Sequence, residues 1–337
     1  MFTKPPMKLK LLSVFFLFSF LSCNGQKPFG LEHLHLEKTI EMPGVSGRID
    51  HMAFNLKDRV LYVAALGNNT VEVVDLLKGT VIKTIKGIEE PQGIAFIPEQ
   101  NEIVIASGSN GDCVFLNAGT FENISTIHLG GDADNVRYDA VERKIYVGYG
   151  NGGMALIDPI AHKHTRNVKL AAHPESFQLD QKNNKMYVNI PDDRSICVID
   201  LKTFSLLDTW KVDNYRSNFP MTLDTSGNLV FIGYRRPAKL VSYDAKNGNQ
   251  ISTNELVGDI DDIFYYADKQ EIIASGGDGS INIFKRENAT NFKKVADIPT
   301  REGARTSLLI PSLQTFVLAE RANGGKPATI AVYKISD

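Results

Sequence analysis

One pattern, a polar triplet or quartet followed by a short apolar strand, recurs seven times along this chain of 337 residues. Its first copy is Arg48-Ile-Asp-His-Met-Ala-Phe-Asn55, and the later strands open at Ile94, Val136, Phe177, Met221, Ile263 and Ser307. Two places before each strand sit Asp50, Gln92, Asp134, Glu175, Phe219, Asp261 and Arg305, spaced by 42, 42, 41, 44, 42 and 44 residues. A period this regular marks a repeat architecture, in which a unit cannot bury its apolar surface alone and must pack on its neighbours.

Each unit contains four strand-like segments separated by turn signals. In the first they are Met52–Asn55, Val60–Ala64, Val71–Asp75 and Val81–Ile85, with Asn55-Leu-Lys-Asp58, Gly67-Asn-Asn69 and Lys78-Gly79 between them. We call them strands A to D. Strand C tends to end in Asp75, Asn117, Asp158, Asp200 or Asp244, side chains suited to hydrogen-bonding the backbone of the following turn. Four strands in each of seven units predict an all-β fold, a seven-bladed β-propeller of four-stranded antiparallel blades. The last unit ends at strand C, Thr329–Tyr333, while Glu37–Met42 near the other end is a strand without a hairpin partner. It is expected to complete the last blade and close the ring, which removes an open edge and keeps two apolar blade faces out of water.

The segments outside this domain (37–337) read differently. Lys4, Lys8 and Lys10 precede an apolar run from Leu11 to Leu21, too short to span a bilayer, so residues 1–22 are expected to be a signal peptide. Phe20-Leu-Ser-Cys23 resembles a bacterial lipobox, with Phe20 where Leu is usual. Cys23 would then be the lipidated first residue of a membrane-anchored periplasmic or cell-surface protein, followed by a tether over 23–36. Cys113 and Cys197 lie in strands two units apart and out of phase, so they are expected to be buried, unpaired thiols. The charge is balanced, 37 basic against 39 acidic residues for a net −2, with no basic block. That disfavours nucleic acid, whose phosphates demand clustered Lys and Arg. A monomer is expected.

Ile145-Tyr-Val-Gly148, Met186-Tyr-Val-Asn189 and Asn69-Thr-Val-Glu-Val-Val-Asp75 resemble the YVTN-repeat propellers, a group related to surface-layer and quinoprotein-amine-dehydrogenase-like propellers. The resemblance runs over residues 37 to 335. It implies an extracytoplasmic seven-bladed ring and says little about activity, because one fold carries many functions. Virginiamycin B lyase, an enzyme of similar architecture, implies that metal-assisted elimination is one chemistry such a scaffold supports, although no motif here matches it.

In a propeller the inner strands surround a channel, so residues scattered along the sequence should converge on its mouth. The expected ligand-binding residues are Arg48, Asp50, Gln92, Asn135, Arg235, Arg236, Asp262 and Arg305. Arginine suits bidentate capture of carboxylate, sulfate or phosphate, and Phe219 would offer a stacking surface. Asp134, Glu175 and Asp261 are candidate ligands for a divalent metal, the one cofactor this ring suggests. His51 and His173, in blades facing each other, are candidate catalytic bases. Tyr138 and Phe177 are expected to pack between blades. No Gly-x-Ser-x-Gly, His-Glu-x-x-His, P-loop or dinucleotide fingerprint occurs. Two functions therefore stand: a binding module for a small polar or anionic ligand or a partner protein, and a metal-assisted lyase or hydrolase. A purely structural repeat protein would need only a bland ring.

Overall fold

The computed structural model describes residues 1–3 and 33–336; Cys23, most of the leader and most of the tether lie outside the described residues. Within them are seven four-stranded antiparallel sheets, three short 3-10 turns and no α-helix, the seven-bladed propeller that the repeat requires. No helix among the described residues is long and apolar enough to cross a membrane.

The last blade runs, from the channel outward, Ser307–Ile310, Thr315–Glu320, Ala328–Ile335 and then Leu34–Met42 from the other end of the chain. Leu34 lies opposite Ile335 and Met42 opposite Ala328. This closing strand begins at Leu34 rather than Glu37, which shortens the expected tether. The reason is apolar burial: Leu34 is enclosed with Phe316, Tyr333 and Ile335.

The core consists of seven apolar clusters, each made by two successive blades. Alternation along a strand supplies both sides. In Val60–Ala65, Leu61, Val63 and Ala65 join the cluster shared with the last blade, while Val60 and Tyr62 join the one shared with the second. Every blade is thus held on both faces, and none has a core of its own. Cys113 and Cys197 are buried free thiols within this packing, as expected. At the far ends of the blades the strand-C acids act as anticipated: Asp158 accepts hydrogen bonds from the backbone N–H groups of Ile160 (2.8 Å) and Ala161 (3.0 Å).

Two features of the inner strands shape the channel. First, the strand A–B register slips between Pro91 and Ile94, Ala133 and Val136, Asn218 and Met221, and Ile260 and Asp262. A bulge of this kind re-aims the side chains within it. In these four blades the recurring residue two places before the strand sits in the bulge. Second, side chains along strand A tie blade to blade: the Arg137 Nε donates to the Phe177 carbonyl, Gln178 Nε2 to that of Met221 (2.7 Å), and the Tyr265 N–H to Thr222 Oγ1 (3.0 Å). The bulges also need room. A Cβ at Gly93 would lie 1.8 Å from the Asp134 carbonyl oxygen, so only glycine permits that approach.

Two outcomes follow for stability in urea. Ile40→Ala, which empties a fully buried position on the closing strand, should cost about 2–5 kcal/mol, whereas an equivalent loss on an exposed strand should cost little. Gly93→Ala should cost about 1–3 kcal/mol by overpacking, and a wild-type unfolding midpoint would contradict the close approach.

Candidate functional site

The inner strands enclose a cavity of about 730 Å³, lined by Arg48, Asp50 and His51 of blade one, Gln92 of blade two, and Asp132, Asp134 and Asn135 of blade three. Blade four adds His173 and Glu175, blade five Phe219 and Arg235, blade six Asp261 and Asp262, and blade seven Arg305. Its size lies in the range of small-molecule sites. Of the expected ligand-binding, metal and catalytic residues, Arg236 alone stays outside: it is exposed. Both arginines lie on one strand, Leu229–Arg236, where neighbours point to opposite faces, so only Arg235 can reach the channel.

One side of the mouth is an arginine wall. Arg235 Nε donates to the Ile260 carbonyl (2.8 Å) and its Nη2 to Asp261, while its guanidinium lies 4.1 Å over the Phe219 ring. Arg305 Nη1 donates to both Asp259 oxygens (2.7 and 2.8 Å), and its Nε lies 3.0 Å from Asp261. Arg48 donates to Asp50 (3.1 Å). Two expectations are corrected here. Asp261 is held between two guanidinium groups, which removes it from the metal candidates. One face of Phe219 is already covered by Arg235, so the ring buttresses an arginine there instead of offering that face to a ligand.

The opposite side gathers Asp134 with both histidines. His51 Nε2 stands 3.4 Å from Asp134 Oδ1, and His173 Nε2 3.8 Å from Asp134 Oδ2. Residues from blades one, three and four thus meet at one carboxylate. These are ion-pair contacts without hydrogen-bond geometry, and Asp134 Oδ1 is buried with no hydrogen-bond partner. His173 Nδ1 donates to the Gly150 carbonyl (2.6 Å), which turns Nε2 toward Asp134. Asp134, His173 and Glu175 can each direct a ligand atom to a common point, these atoms lying within 4.8 Å of one another.

Burial and crowding displace the titrations. Burial raises the Asp262 carboxyl to about 7, with Asp261 and Asp50 adding to it against the opposing pull of His51 and the Ser307 N–H. Burial likewise lifts Asp50 to about 6 and Glu175 to about 8, with the charge of Asp134 adding to both. Burial opposes the charged form of His51, but Asp134 and Asp50 outweigh it and raise the imidazole to about 10. His173 rises to about 9 against burial, held by Asp134 and the Gly150 carbonyl. Asp134, although buried, is held well below the usual carboxylate range by the two histidines.

Sequence reasoning missed the lower channel. Arg137 and Tyr138 line the cavity together with Phe54, Phe96 and Phe264; Tyr138 also packs on the cluster between blades two and three, as expected, and its hydroxyl donates to Glu99 (2.7 Å). Phe177 is buried as expected. The available signal was the charge in Val136-Arg-Tyr-Asp139, where the inner strands of blades one and two carry Ala53 and Ala95. Arg137 is half-buried, and the loss of hydration around its guanidinium lowers its pKa to about 10.

No protein-family model and no curated protein matches the chain. Solved structures do. A chain of hydrazine synthase from Kuenenia stuttgartiensis aligns with a TM-score of 0.74 at 12% identity, over 88% of this chain and 99% of that one. A chain from a mitotic checkpoint complex gives a TM-score of 0.77 at 13% identity, over 98% of this chain and 100% of that one. At such identities the likeness establishes the seven-bladed fold and carries no activity with it.

The raised carboxyls fix the direction of a pH effect. Asp262 binds its proton more tightly folded than unfolded, so the stability it confers is complete below about pH 4 and is lost as pH rises to about 7. Asp50 and Glu175 act in the same sense, and His51 and His173 extend the decline toward pH 9–10. Asp134 acts oppositely, but only as pH falls below about 4. The melting temperature should therefore fall from pH 5 to pH 9. Asp262→Asn, which mimics the neutral acid, should flatten the part between pH 4 and 7. A flat wild-type profile would contradict this charge arrangement.

Proposed function

We propose that the chain is an exported, lipid-anchored propeller of the YVTN-repeat kind that binds a small polar ligand bearing an anionic group at its channel mouth. The observation that carries the ligand reading is the fixed pair of guanidinium groups on the cavity wall. Each carries five donors. Arg235 uses two of its nitrogens in hydrogen bonds, and Arg305 is clamped by Asp259 and Asp261, so both keep donors for a ligand while their orientation is already set. Pre-set groups bind without the entropy loss of ordering long side chains. The acids beside them cancel much of the net charge, which favours a monoanion such as a uronic acid over a polyphosphate. A concave cavity of about 730 Å³ fits a small molecule better than the broad contact a protein partner makes. Export and the anchor at Cys23 rest on the leader sequence.

The test uses D-glucuronate as a probe against glucose as the neutral control. Glucuronate should raise the melting temperature by a few degrees at saturating concentration, and glucose should not. Arg235→Gln and Arg305→Gln should abolish the shift. Arg235→Lys, which keeps the charge but loses the planar fork, should weaken binding about tenfold. Stabilisation by glucuronate that survives both glutamine variants would overturn the reading, as would no stabilisation by glucuronate at all.

A further inference from the structure

We infer that Asp134, His173 and Glu175 form a divalent transition-metal site on the wall opposite the arginines. The inference stands on different residues from the anion reading and does not require it. Three observations on the geometry converge. The three side chains come from two adjacent blades, and their ligand atoms lie within 4.8 Å of one another, close enough to contract around one ion. His173 donates through Nδ1 to a backbone carbonyl, the arrangement by which metal-binding histidines have their other nitrogen fixed for ligation. That carbonyl belongs to Gly150, whose φ of 57° is a left-handed conformation suited to glycine. Asp134 retains only 6% of its exposure, and its Oδ1 faces His51 at 3.4 Å without a hydrogen bond, so this buried carboxylate keeps lone pairs free for an ion.

The donor set selects the ion. One imidazole nitrogen and two carboxylates suit Mn²⁺, Fe²⁺, Co²⁺ or Zn²⁺ better than Ca²⁺ or Mg²⁺, which prefer oxygen throughout. Three protein ligands leave coordination positions open, and Glu175 and His173 both line the cavity, so those positions face the channel. His51, 3.4 Å from the far oxygen of Asp134, would orient that carboxylate as a positioning residue.

The test is calorimetric titration of the full chain, stripped with chelator and exchanged into chelator-free buffer, with Mn²⁺ and with Zn²⁺ alone. At least one ion should bind saturably at about one equivalent. Glu175→Gln should weaken that binding by about 100-fold or more, because a direct ligand is lost and even outer partners are worth about 10–100-fold. His173→Ala should do the same, and Glu175→Gln keeps the test decisive if the histidine variant fails to fold. Arg235→Gln, which should abolish the glucuronate response, should leave metal affinity unchanged, so the two readings fail separately. The inference is overturned if neither ion binds saturably, or if binding is undiminished in Glu175→Gln.

Discussion

Everything at the channel mouth depends on the last blade being completed by the strand that begins the fold. Leu34–Met42 pairs with Ala328–Ile335, and the cluster holding Ile40 and Met42 also holds Leu61 and Val63 of blade one. Closure makes neighbours of residues far apart in the chain: Thr306 Oγ1 donates to the Ile49 carbonyl at 2.9 Å. Arg48, Asp50 and Arg305 share one rim only because of that seam. An open ring would expose two apolar blade faces and separate Arg48 and Asp50 from Arg305.

Given a closed ring, the mouth is organised by a division of charge. Asp259 and Asp261 neutralise arginines on one wall, while Asp134 answers two histidines on the other. Asp50, Asp262 and Glu175 lie between these arrangements with less compensation, which is why their protons are held so firmly. Buried like charges at this density are expensive for a scaffold whose seven inter-blade clusters already supply its cohesion. A ring built only for stability would have been lined with small neutral side chains.

The fold was legible because a period near 42 residues survives every change of side chain, and because the missing last strand and the orphan first strand complement each other. The convergence of the ring residues followed from the fold. What the sequence could not decide was partnership at the scale of one side chain. Asp261 and Asp134 occupy equivalent repeat positions, yet one meets arginines and the other histidines, because the neighbouring blades differ. Arg235 and Arg236 are chemically identical, and only the strand register separates them. Phe219 looked available until the guanidinium over it was seen. The polar ring was a matter of period, whereas the pairing within it was a matter of packing between units.

The bulge that opens the inner strand in four blades has a consequence for how such a molecule can change. It exempts one residue per blade from the alternation that binds the rest of the strand to the apolar clusters. The side chain there is set by what stands across the channel, while its backbone stays fixed by the register on either side. Chemistry and architecture are therefore inherited through different positions. A lineage can exchange one recognition chemistry for another by substituting a handful of rim residues, leaving the blades untouched. Sequence comparison dominated by the blades would then group together proteins whose channels have little in common.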